Sequence, residues 1–566
     1  MPSEPRHPPF RMPERILAEL AAGGGSAEAV AFLVRAERAR RLLLLRTLLD
    51  RLGALSTPLS SAAEAWGVLK EAAAAAPGPV DRLLLAPATG GWIAHLLRRL
   101  HGTASGPPLW AEAGHLCALA VAASLRAGTR ADLRVALTDG ALPLPGLGLA
   151  RLPGAKEGPT IGRARTNGGE LTLSGPGRDG TPLSSTVRPA TRPLPAPAAD
   201  TPAWLPLRIL THRTPGGPVG IPLEDLDPYR DLDDPLPPAR LDPDEAAAWQ
   251  RLFEEAAALL ATPGGDGPGR FDPRDIRAVV PWGRTASLPP APPTVSVSAT
   301  SGDSFGAMVI ARPSCGTALA ETLVHEFQHS KLAALLHLFP LLDDDREERY
   351  YAPWRPDPRH LTGLLHGAYA FTGVAGFWRD RLAVARDARA ADTAGYHFAL
   401  RRLQSRLVVR TLLTEGRLTP QGRVLVTGLA RTLDGWLREP VPYAALTRAR
   451  TAAALHRTEW RLRNVVPARA TGPADLRFRP GRTSWPDQRT HAFATRPAAP
   501  RTADEHLAAG DASTALARYT DLLADAPAEP HALAGWIVAR TILEPGRAAR
   551  RTLARPEELL EPSPRV

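Results

Sequence analysis

His325 and His329 stand four residues apart in ETLVHEFQHSKLAALLHL, residues 321–338. On a helix that spacing puts both imidazoles on one face, one turn apart, which suits two cis positions of a single metal ion. The pattern therefore demands a helix here, beginning near Thr317, and a fold around it that supplies a further ligand. Glu326 lies beside the pair and can reach a water or another ligand of the site. With 15 histidines in the chain, such a pattern arises by accident roughly 0.02 times. It reads as a metal site.

Catalytic zinc and non-haem iron both take three protein ligands and leave positions open. The downstream candidates for the third are His337, His360, His366 and His397. His337 lies on the same helix, about 12 Å beyond His329, which is too far. His366 is chosen: it sits in GLLHGAYAF, a predicted helix whose glycines permit close packing. The next glutamates after the motif, Glu347 and Glu348, fall in an acidic, exposed run, which argues against the second-helix glutamate of many zinc peptidases. Leu332 and Leu335 stand where an extended HExxHxxGxxH pattern requires Gly and His. Between the two helices, YYAPWRPDPRHL packs two Tyr, a Trp and two Arg into a proline-stiffened loop. Arg355 and Arg359 could each clamp a carboxylate bidentately, and Tyr351 could add a hydroxyl donor. Trp354 reads equally well as a core anchor.

Composition narrows the partners. The chain has 566 residues and a formal charge of +11, almost all of its basic residues being arginine; Lys70, Lys156 and Lys331 are the lysines. The arginines are scattered, without a basic block interleaved with aromatics, so nucleic acid is not expected as a partner. Two cysteines, Cys117 and Cys315, do not make a disulfide framework and fit a reducing compartment. The N-terminal stretch carries charges where a signal peptide would be apolar, and there is no run of 18 apolar residues, so we expect a cytoplasmic protein without a membrane span.

The patterning predicts a mainly α fold with a small β portion. Residues 1–130 read as a helical N-terminal region and 131–240 as a β-rich region ending in a Pro-rich connection. Residues 241–445 read as the catalytic domain, with a zincin-like metal-binding helix; Asp242 and Pro243 open its first helix as N-cap and first residue. TVSVSAT and FGAMVIA before the motif alternate as strands. Residues 446–566 read as a Pro/Arg-rich linker and a tetratricopeptide-like helical cap.

ALAETLVHEFQHSKL followed by YYAPWRPDPRHLTGLLHGAYAFTGVAGFW resembles the actinobacterial HExxH-motif peptide-modification proteins. SATSGDSFGAMVIA, LEDLDPYR at 223–230 and LAAGGGSAEAVAFLVRAERARRLLLLR resemble them too, so the similarity spans most of residues 15–440. That family is associated with iron(II)- and 2-oxoglutarate-dependent β-hydroxylation, using O2, of residues in ribosomally made precursor peptides. The resemblance implies His325 and His329 as iron ligands, His366 as the third, and Arg355 as the partner of the 2-oxoglutarate carboxylate. The alternative that the residues allow is a zinc metallopeptidase with Glu326 as general base.

Overall fold

Helix gives way to strand where the sequence changes texture. The helix His115–Ala127 ends at Gly128, in the left-handed conformation, and the first strand begins at Ala131. The computed structural model describes residues 11–190, 199–214, 217–232, 234–261, 267–282, 298–466, 477–478 and 492–560. It is 55% helical and 15% strand, so the fold is mainly α with a small β portion. The chain divides into two compact units, each assembled from separated stretches. A sheet unit comprises Val30–Gly264 and Phe271–Leu338; a helical unit comprises Met1–Ala29, Gly265–Arg270 and Phe339–Val566.

In the sheet unit the strands β1 (Ala131–Thr138), β2 (Ala141–Leu144), β3 (Gly148–Arg151), β4 (Pro159–Asn167), β5 (Glu170–Pro176), β6 (Pro182–Val187) and β7 (Trp204–Pro206) form one sheet. It is antiparallel throughout, in the order β6-β5-β4-β1-β2-β3-β7. Along β1, Ala131, Leu133, Val135 and Leu137 point inward while Asp132 and Arg134 point out, the alternation of a strand with one covered face. Asp139 and Gly140 both take positive φ (51° and 70°), the two-residue turn whose twist suits a hairpin. The inner face meets the helix His115–Ala127, which is buried almost all round. Each of its large apolar side chains, such as Leu119 and Leu125, contributes about 1.5–3 kcal/mol by burial.

A second sheet carries the approach to the motif. It contains β8 (Arg208–Thr214), β9 (Gly217–Leu223), β10 (Ala278–Pro281), β11 (Ser298–Ala299) and β12 (Ala307–Ile310), in the order β11-β12-β10-β9-β8. β9, β10 and β12 run parallel, and β8 and β11 run antiparallel at the edges. The buried runs AVVP and AMVI are the continuous apolar segments that central parallel strands need. FGAMVIA thus supplies a strand as expected. Of TVSVSAT, residues 298–300 lie within the described residues, and Ser298–Ala299 form a strand. The helix Pro243–Leu260 is capped by Asp242, which accepts from the Glu245 amide at 2.8 Å, with Pro243 as its first residue. This helix covers β8, and its Gln250 amide accepts from Thr211 N at 3.0 Å and donates to Thr211 O at 2.7 Å.

LEDLDPYR follows β9 as a buried polar turn. Glu224 accepts from the amides of Leu226 and Asp227, and Asp227 accepts from that of Tyr229. Burial, then the charge of Asp227, pushes the Glu224 carboxyl up to about 7, and burial pushes Asp227 up to about 6. In the unfolded chain both titrate near pH 4. The native state therefore holds more protons between about pH 4 and 7, and this pair's contribution to stability falls as pH rises through that window. We predict that Glu224→Gln reduces the loss of stability between pH 5 and pH 8, read from urea unfolding at the two values. An unchanged pH difference would show that Glu224 does not carry it.

The helical unit packs Leu361–Ala383 against Ala388–Thr414, with Pro420–Trp436 and Tyr443–Asn464 beside them. Close packing at the first of these depends on Gly367, where a Cβ would stand 2.1 Å from the Trp354 ring. The helices Ala512–Asp525 and Pro530–Leu543 pack on one another. Tyr519, Ala515 and Ala539 share a core with Tyr396, Ala449 and Leu455. The expected Pro/Arg-rich linker falls largely on 467–476 and 479–491, outside the described residues, as does 191–198 of the Pro-rich connection. Among the described residues no helix is long and apolar enough to cross a membrane. Both cysteines are free.

Candidate metal centre

The helix Gly316–Leu338 begins six residues after β12 ends and carries the motif in its middle turns. Its apolar positions, Leu319, Leu323, Phe327 and Leu335, are buried, and Phe327 stacks on Phe271 at 4.7 Å. That anchoring leaves His325 and His329 half-buried on a neighbouring face. Their Nε2 atoms stand 3.0 Å apart, with the rings edge to face at 79°. With metal–nitrogen bonds of about 2.0–2.1 Å, two nitrogens at a right angle are about 2.9 Å apart, and at the tetrahedral angle about 3.4 Å. The observed separation lies close to both values, so the pair can share one metal ion of either geometry. Among the described residues, His325, Glu326 and His329 form the cluster whose ligand atoms all lie within 4.8 Å of one another.

Glu326 is 1% exposed. Its Oε1 accepts from Ser298 Oγ at 2.6 Å and its Oε2 from Thr300 Oγ1 at 2.5 Å. Oε1 is also 3.9 Å from His325 Nε2. The carboxylate is thus close to the histidines, yet each oxygen is already engaged by a hydroxyl. Neither Ser298 nor Thr300 stood out as functional in the sequence. The available signal was two hydroxyl residues spaced i, i+2 in an extended segment, which places them on one face. Lys331, buried at 2% exposure, lies over the Phe327 ring at 5.9 Å and helps to lower the pKa of Asp275. Burial nevertheless dominates there and holds Asp275 at about 6.

The other predicted site residues belong to the helical unit. Their loop is pinned by amide side chains: Gln404 donates to Pro353 O at 2.8 Å and Asn464 to Pro356 O at 2.9 Å. Trp354 packs on Phe371 at 4.7 Å, the anchor role anticipated for it. The Tyr351 hydroxyl pairs with His456 Nδ1 at 2.8 Å. Arg355 Nε donates to Asp357 at 3.0 Å and Arg359 Nη1 to the same carboxylate at 3.4 Å, so one acid lies between the two arginines. His360 Nδ1 meets Asp344 at 2.7 Å, and the residue caps the helix Leu361–Ala383. His366 lies in the second turn of that helix. Desolvation, then the nearby positive charges of His360, Arg346 and Arg359, lowers its imidazole to about 4. It is therefore neutral near pH 7, the state in which imidazole binds a metal. His337 pairs with Glu37 at 3.7 Å, and His397 stacks on Trp378 at 4.3 Å. No protein-family model and no curated protein matches the chain.

Proposed function

We propose that the protein is an iron(II)- and 2-oxoglutarate-dependent oxygenase that β-hydroxylates a residue of a ribosomally made precursor peptide. The observation that accompanies the family resemblance is the pairing of His325 and His329 on one helix face, with imidazole nitrogens 3.0 Å apart and able to share one metal ion. When bound, iron would supply dioxygen activation, with 2-oxoglutarate as the two-electron co-reductant. His325 and His329 hold the ion, and the resemblance assigns the third position to His366. The zinc peptidase alternative needs Glu326 as a base free to take a proton from water. Ser298 and Thr300 take two of the roughly four acceptor sites of its carboxylate, so the choice between the two readings rests on the iron titration.

Anaerobic reconstitution with iron(II), followed by titration with 2-oxoglutarate, tests the reading. A visible charge-transfer band is expected for the keto-acid complex. Co-expression with a precursor peptide should add about one oxygen atom to it, since the other atom of dioxygen goes to succinate. Peptide fragments without that gain would favour the zinc alternative.

Arg355 is assigned to the distal carboxylate of 2-oxoglutarate, with Arg359 as the second choice and Tyr351 as an added donor. Arg355 is 49% exposed along its side chain and already shares Asp357, so the pairing is screened by solvent. We therefore expect Arg355→Ala to weaken 2-oxoglutarate binding about tenfold, or 1.4 kcal/mol. Iron binding should stay at the parent level, and the loss should shrink as salt is added. A change within twofold for both Arg355→Ala and Arg359→Ala would make the loop structural.

A further inference from the structure

The stretch from Ser298 to Gly306 runs along the metal helix, and its attachments repeat with the period of that helix. At its start, Ser298 and Thr300 donate to Glu326. In its middle, a Cβ on Gly302 would stand 3.7 Å from Ala333 Cβ and 3.6 Å from His337 Nε2. At its end, the Gly306 amide donates to Ser330 Oγ at 3.3 Å. Residues 326, 330, 333 and 337 follow the spacing i, i+4, i+7, i+11, which is a single stripe along a helix. His325 and His329 form the stripe next to it.

The opposite flank of the stretch is fixed as firmly. The Asp303 carboxylate pairs with Arg40 at 2.8 Å and with Arg98 at 3.4 Å. Its carbonyl accepts from Arg41 at 3.3 Å, and Ser304 Oγ donates to Pro87 O at 3.3 Å. Nine residues, of which Ser298 and Ala299 alone are strand, are thus tied down on both sides. The oxygen that receives the Ser298 hydroxyl is 3.9 Å from His325 Nε2, so the start of the strap lies within a side chain's reach of the metal pair.

We infer that residues 298–306 are a fixed wall screening the metal pair from solvent, and that Glu326 is a positioning residue that holds this wall through Ser298 and Thr300. The inference rests on the reading of His325 and His329 as metal ligands. Three features support it. The carboxylate is buried, where an acid without donors is strongly unfavourable. Its two donors come from the strap and from no other part of the described chain. The remaining attachments fall on the same helical stripe, so the strap follows the metal helix from Glu326 to His337.

The test uses the full chain and cobalt(II) as the metal probe, with four proteins: the parent, Glu326→Ala, Glu326→Gln, and the double variant Ser298→Ala with Thr300→Val. Hydrogen exchange of the 298–306 amides and the rate of cobalt loss to EDTA are measured on each. In Glu326→Ala and in the double variant, exchange and cobalt loss should both accelerate at least tenfold. Glu326→Gln keeps an acceptor and a donor for the two hydroxyls and should stay within about threefold of the parent on both readouts. The Gln variant also keeps the proposal falsifiable if the Ala variant folds poorly. Parent-like exchange in the double variant would overturn the wall. A Gln variant that behaves like the Ala variant would overturn the hydrogen-bonding role of Glu326. Neither readout needs turnover, so failure of the hydroxylase reading is seen separately, as absence of succinate formation in the parent.

Discussion

Replacing either His325 or His329 by alanine should lower metal affinity by 100-fold or more, about 2.7 kcal/mol, while the fold persists. The reason is geometric. Two nitrogens 3.0 Å apart can supply two of the positions around one ion, and neither can be replaced by its neighbour on the helix. Both rings are half-buried on the rim of the helix, away from Leu319, Leu323 and Phe327, and alanine is the best helix former. Unfolding of the metal-free variants should therefore stay within about 1 kcal/mol of the parent, since substitutions outside the core usually do so. Metal content after desalting, together with urea unfolding, checks both halves. Full retention of metal by either variant would remove the pair as the site.

Arg41→Ala should be strongly destabilising to the sheet unit. The guanidinium is 3% exposed. It donates to Glu37 at 2.9 Å, to the carbonyls of Ala86 and Leu84 at 2.6 and 3.2 Å, and to Asp303 O. Glu37, itself 2% exposed, would be left with the partial support of Arg40 and His337. Removing one partner of a buried ion pair costs about 3–5 kcal/mol, because the other charge stays in a poorly solvating place. Urea unfolding of the Ala variant should show that loss. Arg41→Met combined with Glu37→Leu should recover much of it, because no charge is then stranded. A loss below 1 kcal/mol in Arg41→Ala would mean that water reaches the pair and solvates it.

How much of this was legible in the sequence depends on the range of each interaction. The motif helix and the Asp242 cap with Pro243 after it are local patterns, and the chain states them directly. The burial of the helix His115–Ala127 follows from its nearly unbroken apolar composition. The company of Glu326 could not be read. Ser298 and Thr300 lie 28 and 26 residues before it, and only the packing of the strap on the helix brings them together. His360 was one of several candidate ligands, and its commitment to Asp344 spans 16 residues. The arginine pair teaches a different lesson. Asp357 sits within the same short loop, but its effect on Arg355 and Arg359 depends on a turn that brings one carboxylate to both.

The amide of Gln250 meets the backbone of Thr211 as a neighbouring strand would, offering one acceptor and one donor at the outermost strand of the second sheet. Sheets tend to recruit further chains at their borders, and proteins commonly prevent this with charge, proline or a covering element. Here a side chain imitates a peptide unit and occupies one amide and one carbonyl of that strand, those of Thr211, beneath the covering helix. The contact joins uncharged groups, so this part of the border's cover does not depend on salt or pH.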